Sequence, residues 1–286
     1  MWGFLAFSHG WTWLFWGLAS LWGTSIWHPP AVVFFAIGGA GVLLGGAVMT
    51  RVVSGAAGLR DLGRRIVDPT RIGGRWWVVI LLFFPVLTLV AAAVARVLGV
   101  ERQPLDLPGA VARVSHPARL GAMMAFTLVI GPLPEEIGWR GYLLDQFQTR
   151  WSALAASLAV GLLMWLWHLP LFRLPGYWAA FQAVPPTPVH LLLVILPAAV
   201  LYAWVYNNTG QSVLAAILLH FMGNFSGELL GISSRALSYR MALTPIVVAL
   251  IVWWWGPRTL RRDRQPATPA SGLGAASGFP RTHVGT

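Results

Sequence analysis

Gly131-Pro132-Leu133-Pro134-Glu135-Glu136-Ile137-Gly138-Trp139-Arg140 follows directly on the apolar run from Ala118 to Ile130. Two adjacent carboxylates end an oily stretch in a chain with only 9 acidic residues among 286. Whether the pair opens an ordinary helix or marks a buried site depends on what surrounds it.

The surroundings are those of a membrane protein. Apolar residues make up 57% of the chain and charged residues 10%, where soluble domains carry about 25% charge. The fold expected is an all-α, polytopic bundle of about eight transmembrane helices. Cysteine is absent, which excludes disulfides, a thiolate nucleophile and cysteine-ligated metal. The 20 basic residues are all Arg, which excludes catalytic-lysine and Schiff-base chemistry. The net charge of +11 lies in short loops and a tail beside oily spans. Membrane orientation explains it, and no nucleic-acid partner is implied.

In order, the spans expected run from Phe4 to Trp22, Val32 to Met49, Trp76 to Leu98, Ala118 to Ile130, Ala153 to Leu171, His190 to Tyr206, Ser212 to Leu230 and Met241 to Trp255. The first lacks a basic leader and reads as a retained helix. From Arg51 to Arg75, six Arg face Asp61 and Asp68. This reads as a cytoplasmic loop with a short surface helix at Leu59–Ile66. Eight crossings then leave both termini in the cytoplasm. Residues 1–256 form one membrane domain, and 257–286, rich in Pro, Gly, Ala, Ser and Thr, read as a disordered cytoplasmic tail. All-Arg, Ala/Gly/Trp-rich usage suggests a bacterial inner-membrane protein.

A carboxylate at the centre of a spanning helix costs about 2.5–3.5 kcal/mol even on lenient scales, so it is expected to face the bundle interior with partners. Pro134 suits a first helical turn, and Glu135 and Glu136 would then sit where the helix dipole favours anions. Glu136 pairs with Arg140 at i+4. Glu135 points about 100° away and needs another explanation. Candidates lie on later spans: His168 at the far end of the fifth, and His220, Asn224 and Glu228 along one face of the seventh. Carboxylates, histidines and an asparagine in apolar helices make up a hydrolytic set of base, polarising groups and hydrogen-bond donor.

Glu135-Glu136-x-x-x-Arg140 resembles the EExxxR motif of the CPBP family, the CAAX-protease and bacteriocin-processing (Abi) intramembrane proteases. Met164-x-x-x-His168 is similar to the family's FxxxH motif, with Met in place of Phe. His220-x-x-x-Asn224 matches HxxxN. The resemblance covers roughly 118–230. It implies peptide-bond hydrolysis within the bilayer on a membrane-associated or lipidated protein or peptide. Carried over, Glu135 activates water, His168 helps to hold it, His220 and Asn224 stabilise the oxyanion, and Glu136 and Arg140 form a supporting pair, with Glu228 beside them. Glu135, His168 and His220 are also a conceivable zinc set with an open water position, although asparagine is a poor zinc ligand and no HExxH helix occurs. Metal-dependent and metal-free routes both remain open here. Two other classes fit less of the pattern. One is a non-catalytic bacteriocin-immunity or scaffold protein that keeps the motif. The other is a proton-coupled transporter, which needs polar stripes on several spans, whereas only the seventh has one.

These boundaries carry one tension. They set Glu135 near the cytoplasmic end of its helix and His168 near the opposite end of its own.

Overall fold

The computed structural model describes residues 1–23, 25–181 and 187–262. Twelve α-helices follow one another: α1 (Trp2–Ser20), α2 (Ala31–Gly39), α3 (Gly41–Val67), α4 (Gly74–Val97), α5 (Leu107–Val114), α6 (Pro117–Ile130), α7 (Pro132–Gly138), α8 (Leu144–Gln148), α9 (Ala153–His168), α10 (Pro188–Asn208), α11 (Val213–Leu230) and α12 (Ser234–Trp255). A π-helical turn at Trp139–Leu143 joins α7 to α8. Among the described residues there is no strand beyond one isolated bridge between Leu105 and Ile232.

Local sequence sets several helix starts. Ser152, Thr187, Ser212 and Ser233 each accept a hydrogen bond from the backbone N–H three residues on, meeting one of the four donors a helix start leaves unpaired. Gly231 ends α11 in the left-handed conformation, φ 56°, which glycine adopts without strain.

Seven helical runs among the described residues are long and apolar enough to cross a membrane: 31–67, 74–97, 117–148, 153–173, 188–208, 213–230 and 234–255. They coincide with the second to eighth expected spans, and the protein is a multi-pass, all-α membrane protein. The first expected span forms α1, whose Trp, His and hydroxyl side chains keep it out of that set. It is nevertheless packed tightly. Phe4, Ser8, Thr12, Trp16 and Ala19 form its buried stripe, and Thr12 Oγ1 donates to Gly38 O at 2.7 Å.

Two boundaries differ from expectation. The region read as a cytoplasmic loop is mostly helix: α3 breaks at Gly55 (φ 66°, ψ −162°), and a second helical piece, which includes the helix expected at Leu59–Ile66, runs on to Val67. Glycine is the residue that tolerates this bend. The residues after α12 do not all peel away. Leu260 is fully buried, Ala153 and Leu154 donate their N–H groups to Arg258 O and Pro257 O at 2.8 and 3.0 Å, and Asn208 Nδ2 donates to Leu260 O at 2.7 Å. Pro257–Leu260 thus belong with the helical body, because they supply acceptors to the start of α9 and the end of α10. The rest of the expected tail, 263–286, lies outside the described residues.

The tension over Glu135 and His168 disappears because 117–148 is one crossing broken in the middle. Gly131 (φ −130°, ψ −84°) ends α6, and Pro132 starts α7. Glu135 therefore sits inside the bundle. His220 and Asn224 straddle the middle of α11, about 10 and 16 Å from its start at 1.5 Å per residue. At one end of the bundle Met1 meets Tyr142, Arg65 meets Gln211, and Asn207 meets Thr259. At the other Ile26 pairs with Pro175, and Ser233 with Pro104. The start of α1 and the end of α12 share the first end.

Candidate active site

The helix that carries the glutamates is fixed from beneath by α3. A Cβ on Gly46 would meet Gly138 Cα at 2.8 Å, and one on Gly138 would meet Val42 O at 2.4 Å. The two backbones touch with no side chain between them, as small-residue interfaces permit in membranes. One turn later the π-helical turn re-aims the carbonyls, and Arg65 Nη2 donates to Arg140 O at 3.4 Å. The sequence suggested a loop cation at Arg65. It is instead 3% exposed, pairs with Asp145 Oδ2 at 3.0 Å, and donates to the Tyr206 hydroxyl, which itself donates to Asp145 Oδ1 at 2.7 Å.

Glu136 and Arg140 are fully buried. Arg140 Nη1 donates to Glu136 Oε1 at 3.0 Å and stands 2.9 Å from Oε2, an ion-pair contact outside hydrogen-bond alignment. The same nitrogen reaches Met164 Sδ at 3.4 Å, and Nη2 donates to Ala199 O at 3.3 Å. Met164 therefore fills its position as packing and as a soft acceptor. His220 Nδ1 lies 2.8 Å from Glu136 Oε1. A carboxylate only accepts, so Nδ1 carries the proton and the ring's other nitrogen, Nε2, is turned away from Glu136. Glu136 thus supports His220 as well as Arg140, which sequence spacing did not reveal.

Glu135 has a different setting. It is 6% exposed, and its Oε2 has no hydrogen-bond partner. Its Oε1 stands 3.9 Å from His168 Nε2. His168 Nδ1 meets Met164 O at 2.7 Å. A carbonyl only accepts, so Nδ1 is the donor and Nε2 is the ring nitrogen turned toward Glu135. Asn224, one helical turn beyond His220, is exposed. A Cβ on Gly131 would stand 3.6 Å from Glu135 Oε1 and 3.7 Å from Asn224 Nδ2. Glycine at 131 thus leaves open the space between a carboxylate and an amide donor. Tyr177, in the turn after Arg173, lies near the same side: burial and then the Glu135 charge hold its phenol above its ordinary pKa.

Glu228 is the outlying member of the sequence set. Its Oε2 accepts from Thr127 Oγ1 at 3.3 Å, tying α11 to α6. The proposed zinc set does not assemble. Among the described residues no three His, Asp or Glu side chains converge closely enough to hold a metal; the approach that is made joins Glu135 Oε1 and His168 Nε2 at 3.9 Å. The donor set present does not fit a zinc ion shared by Glu135, His168 and His220, and no step below is routed through one.

Fold and site together define a polytopic helical membrane protein with buried glutamates and a buried histidine, His220, beside the partly buried His168 and the exposed Asn224. Residues 117–226, which contain Glu135, His168, His220 and Asn224, match the family model for type II CAAX prenyl endopeptidase Rce1-like proteins. The chain is 31% identical over 129 residues to the CAAX prenyl protease 2 of Methanococcus maripaludis, a match covering 44% of this chain and 48% of the relative. The chain thus spans about half the length of the curated relative it matches. This segment is similar to the CAAX prenyl endopeptidases, in keeping with the resemblance carried by the three motifs. Motif spacing brought Glu135, Glu136, Arg140, His168, His220 and Asn224 to light. Gly131 and Tyr202, whose ring contacts are described below, lie outside the motifs. For Gly131 the break in an apolar run just before the glutamates was the available signal.

Proposed function

We propose that the protein is an intramembrane endopeptidase that hydrolyses a peptide bond of a membrane-associated protein or peptide with a glutamate-activated water. The observation that carries this reading is the unpartnered Glu135 Oε2, beside Nε2 of His168 and across from Asn224. A water between Glu135 and His168 gives one proton to Glu135 and directs its second hydrogen to His168 Nε2. Its oxygen forms the bond to the carbonyl carbon, and the carbonyl oxygen becomes the oxyanion. Asn224 Nδ2 and His220 Nε2 face that oxygen; one such donor is worth about 2.7–4 kcal/mol in hydrolases. Glu135 then passes its proton to the amide nitrogen as the C–N bond breaks, releasing an amine and a carboxylic acid, which loses the water's second proton to solvent. For Nε2 to donate, His220 must be an imidazolium, and the Glu136 carboxylate at 2.8 Å is the group that supports that charge. Glu135 and Glu136 against Arg140 and His220 then sum to zero, which lowers the cost of the cluster inside a membrane.

The name of the archaeal relative makes a prenylated peptide ending in a CAAX sequence the first substrate to try. Under the positive-inside rule the end of the bundle bearing Arg60, Arg64, Arg71, Arg75 and Arg258 faces the cytoplasm, with both termini there and the protein in a bacterial inner membrane. The test is cleavage of that peptide by the full chain in nanodiscs, with product masses read by mass spectrometry. Cleavage lost in both Glu135→Gln and His220→Ala supports the reading. Cleavage undiminished in both ends it. A protein that protects cells from a bacteriocin equally well as Glu135→Gln, and cleaves nothing, is an immunity protein instead.

A further inference from the structure

Every polar partner of His220 described so far lies in the plane of its ring. The face of the ring is covered by a residue from another helix. Tyr202, on α10, is 5% exposed, and its ring centroid lies 4.8 Å from that of His220 with the planes 19° apart. The Arg140 guanidinium carbon stands 5.0 Å from the centre of the same tyrosine ring. Glu136 Oε1 joins these two neighbours, accepting from Arg140 Nη1 at 3.0 Å and His220 Nδ1 at 2.8 Å. One carboxylate oxygen and one aromatic ring therefore each touch both Arg140 and His220. A single hydrogen bond at Nδ1 leaves an imidazole free to pivot about the N–H···O axis. A flat ring stacked on its face removes that freedom.

We propose that Tyr202 is a positioning residue for His220: its ring fixes the plane of the imidazole, and with it the direction in which Nε2 donates. This rests on the endopeptidase reading, since the direction matters only if Nε2 meets an oxyanion. The contacts are made by the ring, so the ring and not the hydroxyl carries the role. Tyr202→Phe keeps the stack. Tyr202→Met keeps the apolar bulk and loses the flat surface.

Two measurements on the full chain in nanodiscs test this. In steady-state cleavage of the prenylated peptide, Tyr202→Met lowers kcat about 10- to 100-fold, the scale of a misplaced catalytic group, with KM within about twofold, as for an interaction made in the transition state. Tyr202→Phe stays within about threefold of wild type. The second readout needs no activity: carbethoxylation of His220 by diethyl pyrocarbonate, mapped by mass spectrometry against His168 as internal standard. A released ring reacts severalfold faster in Tyr202→Met and at the wild-type rate in Tyr202→Phe. Wild-type protein that cleaves nothing overturns the endopeptidase reading alone, and the modification rates then decide the stack. A Tyr202→Met variant with wild-type kcat and wild-type His220 reactivity overturns the proposal. So does a Tyr202→Phe variant as damaged as Tyr202→Met. Where Tyr202→Met does not fold, Tyr202→Phe decides: near-wild-type values support the ring, and loss beyond threefold overturns it.

Discussion

Glu136 and Glu135 adjoin in sequence and stand in opposite circumstances. Glu136 is enclosed with Arg140, His220 and the ring of Tyr202: its Oε1 accepts two hydrogen bonds, and its Oε2, which accepts none, lies 2.9 Å from the Arg140 guanidinium. Glu135 has His168 at 3.9 Å and an oxygen with no partner at all. A buried charge without compensation is expensive, and burial with full pairing is how proteins normally avoid the cost. Under the proposed endopeptidase reading, the difference in charge pairing separates a scaffold from a reaction centre. The satisfied side holds its geometry, and the unsatisfied side keeps capacity in reserve for a water and a substrate carbonyl.

Substitutions on the two sides should therefore fail in different ways. Glu136→Ala leaves Arg140 buried and unpaired, and breaking such a pair costs about 3–5 kcal/mol. It should lower the melting temperature sharply in detergent and abolish cleavage with it. A Glu136→Ala protein as stable as wild type would erase the contrast. Glu135→Gln should reduce kcat about 10²–10⁴-fold, the range for removing a general base, while the melting temperature holds or rises. Loss of stability there would move Glu135 to the scaffold side. Asn224→Ala, on the open side, should cost about 10²–10³-fold in kcat with stability intact, as for loss of one oxyanion donor. Gly131→Ala should have the smallest effect. Its methyl group would stand 3.6 Å from Glu135 Oε1 and 3.7 Å from Asn224 Nδ2, crowding the substrate. KM should rise and kcat fall, together about tenfold, read from initial rates at several peptide concentrations.

The sequence made the groups of the candidate site legible because a buried ionisable residue in an oily helix is rare and its helical spacing is regular. His220 and Asn224 at i and i+4 had to share a face, and they do. The carboxylate partners were not legible, since spacing within α7 says nothing about what α11 brings against it: Glu136 was matched to Arg140 correctly, and its bond to His220 went unseen. Arg65 misled for the same reason. Among the Arg residues of 51–75 it has no local mark, and only the approach of Asp145 and Tyr206 from α8 and α10 buries it. The helix expected at Leu59–Ile66 is longer than the sequence suggested, because the chain turns at Gly55 and resumes helix directly on either side of it. Tyr202 is one apolar-helix aromatic among many, and its stack depends on the crossing of α10 and α11.

The contact between Gly46 and Gly138 bears on what counts as the functional unit. Gly138 occupies one of the positions the glutamate–arginine motif leaves unspecified, yet the backbone of α3 rests on it. Position 46 lies well outside the matched segment 117–226. Grafting that segment into another membrane scaffold would carry over every reacting group and still misplace them if the receiving helix presented a Cβ there. The smallest transplantable piece therefore has to include α3, and in related chains substitutions at 46 and 138 should be accepted as a pair or not at all.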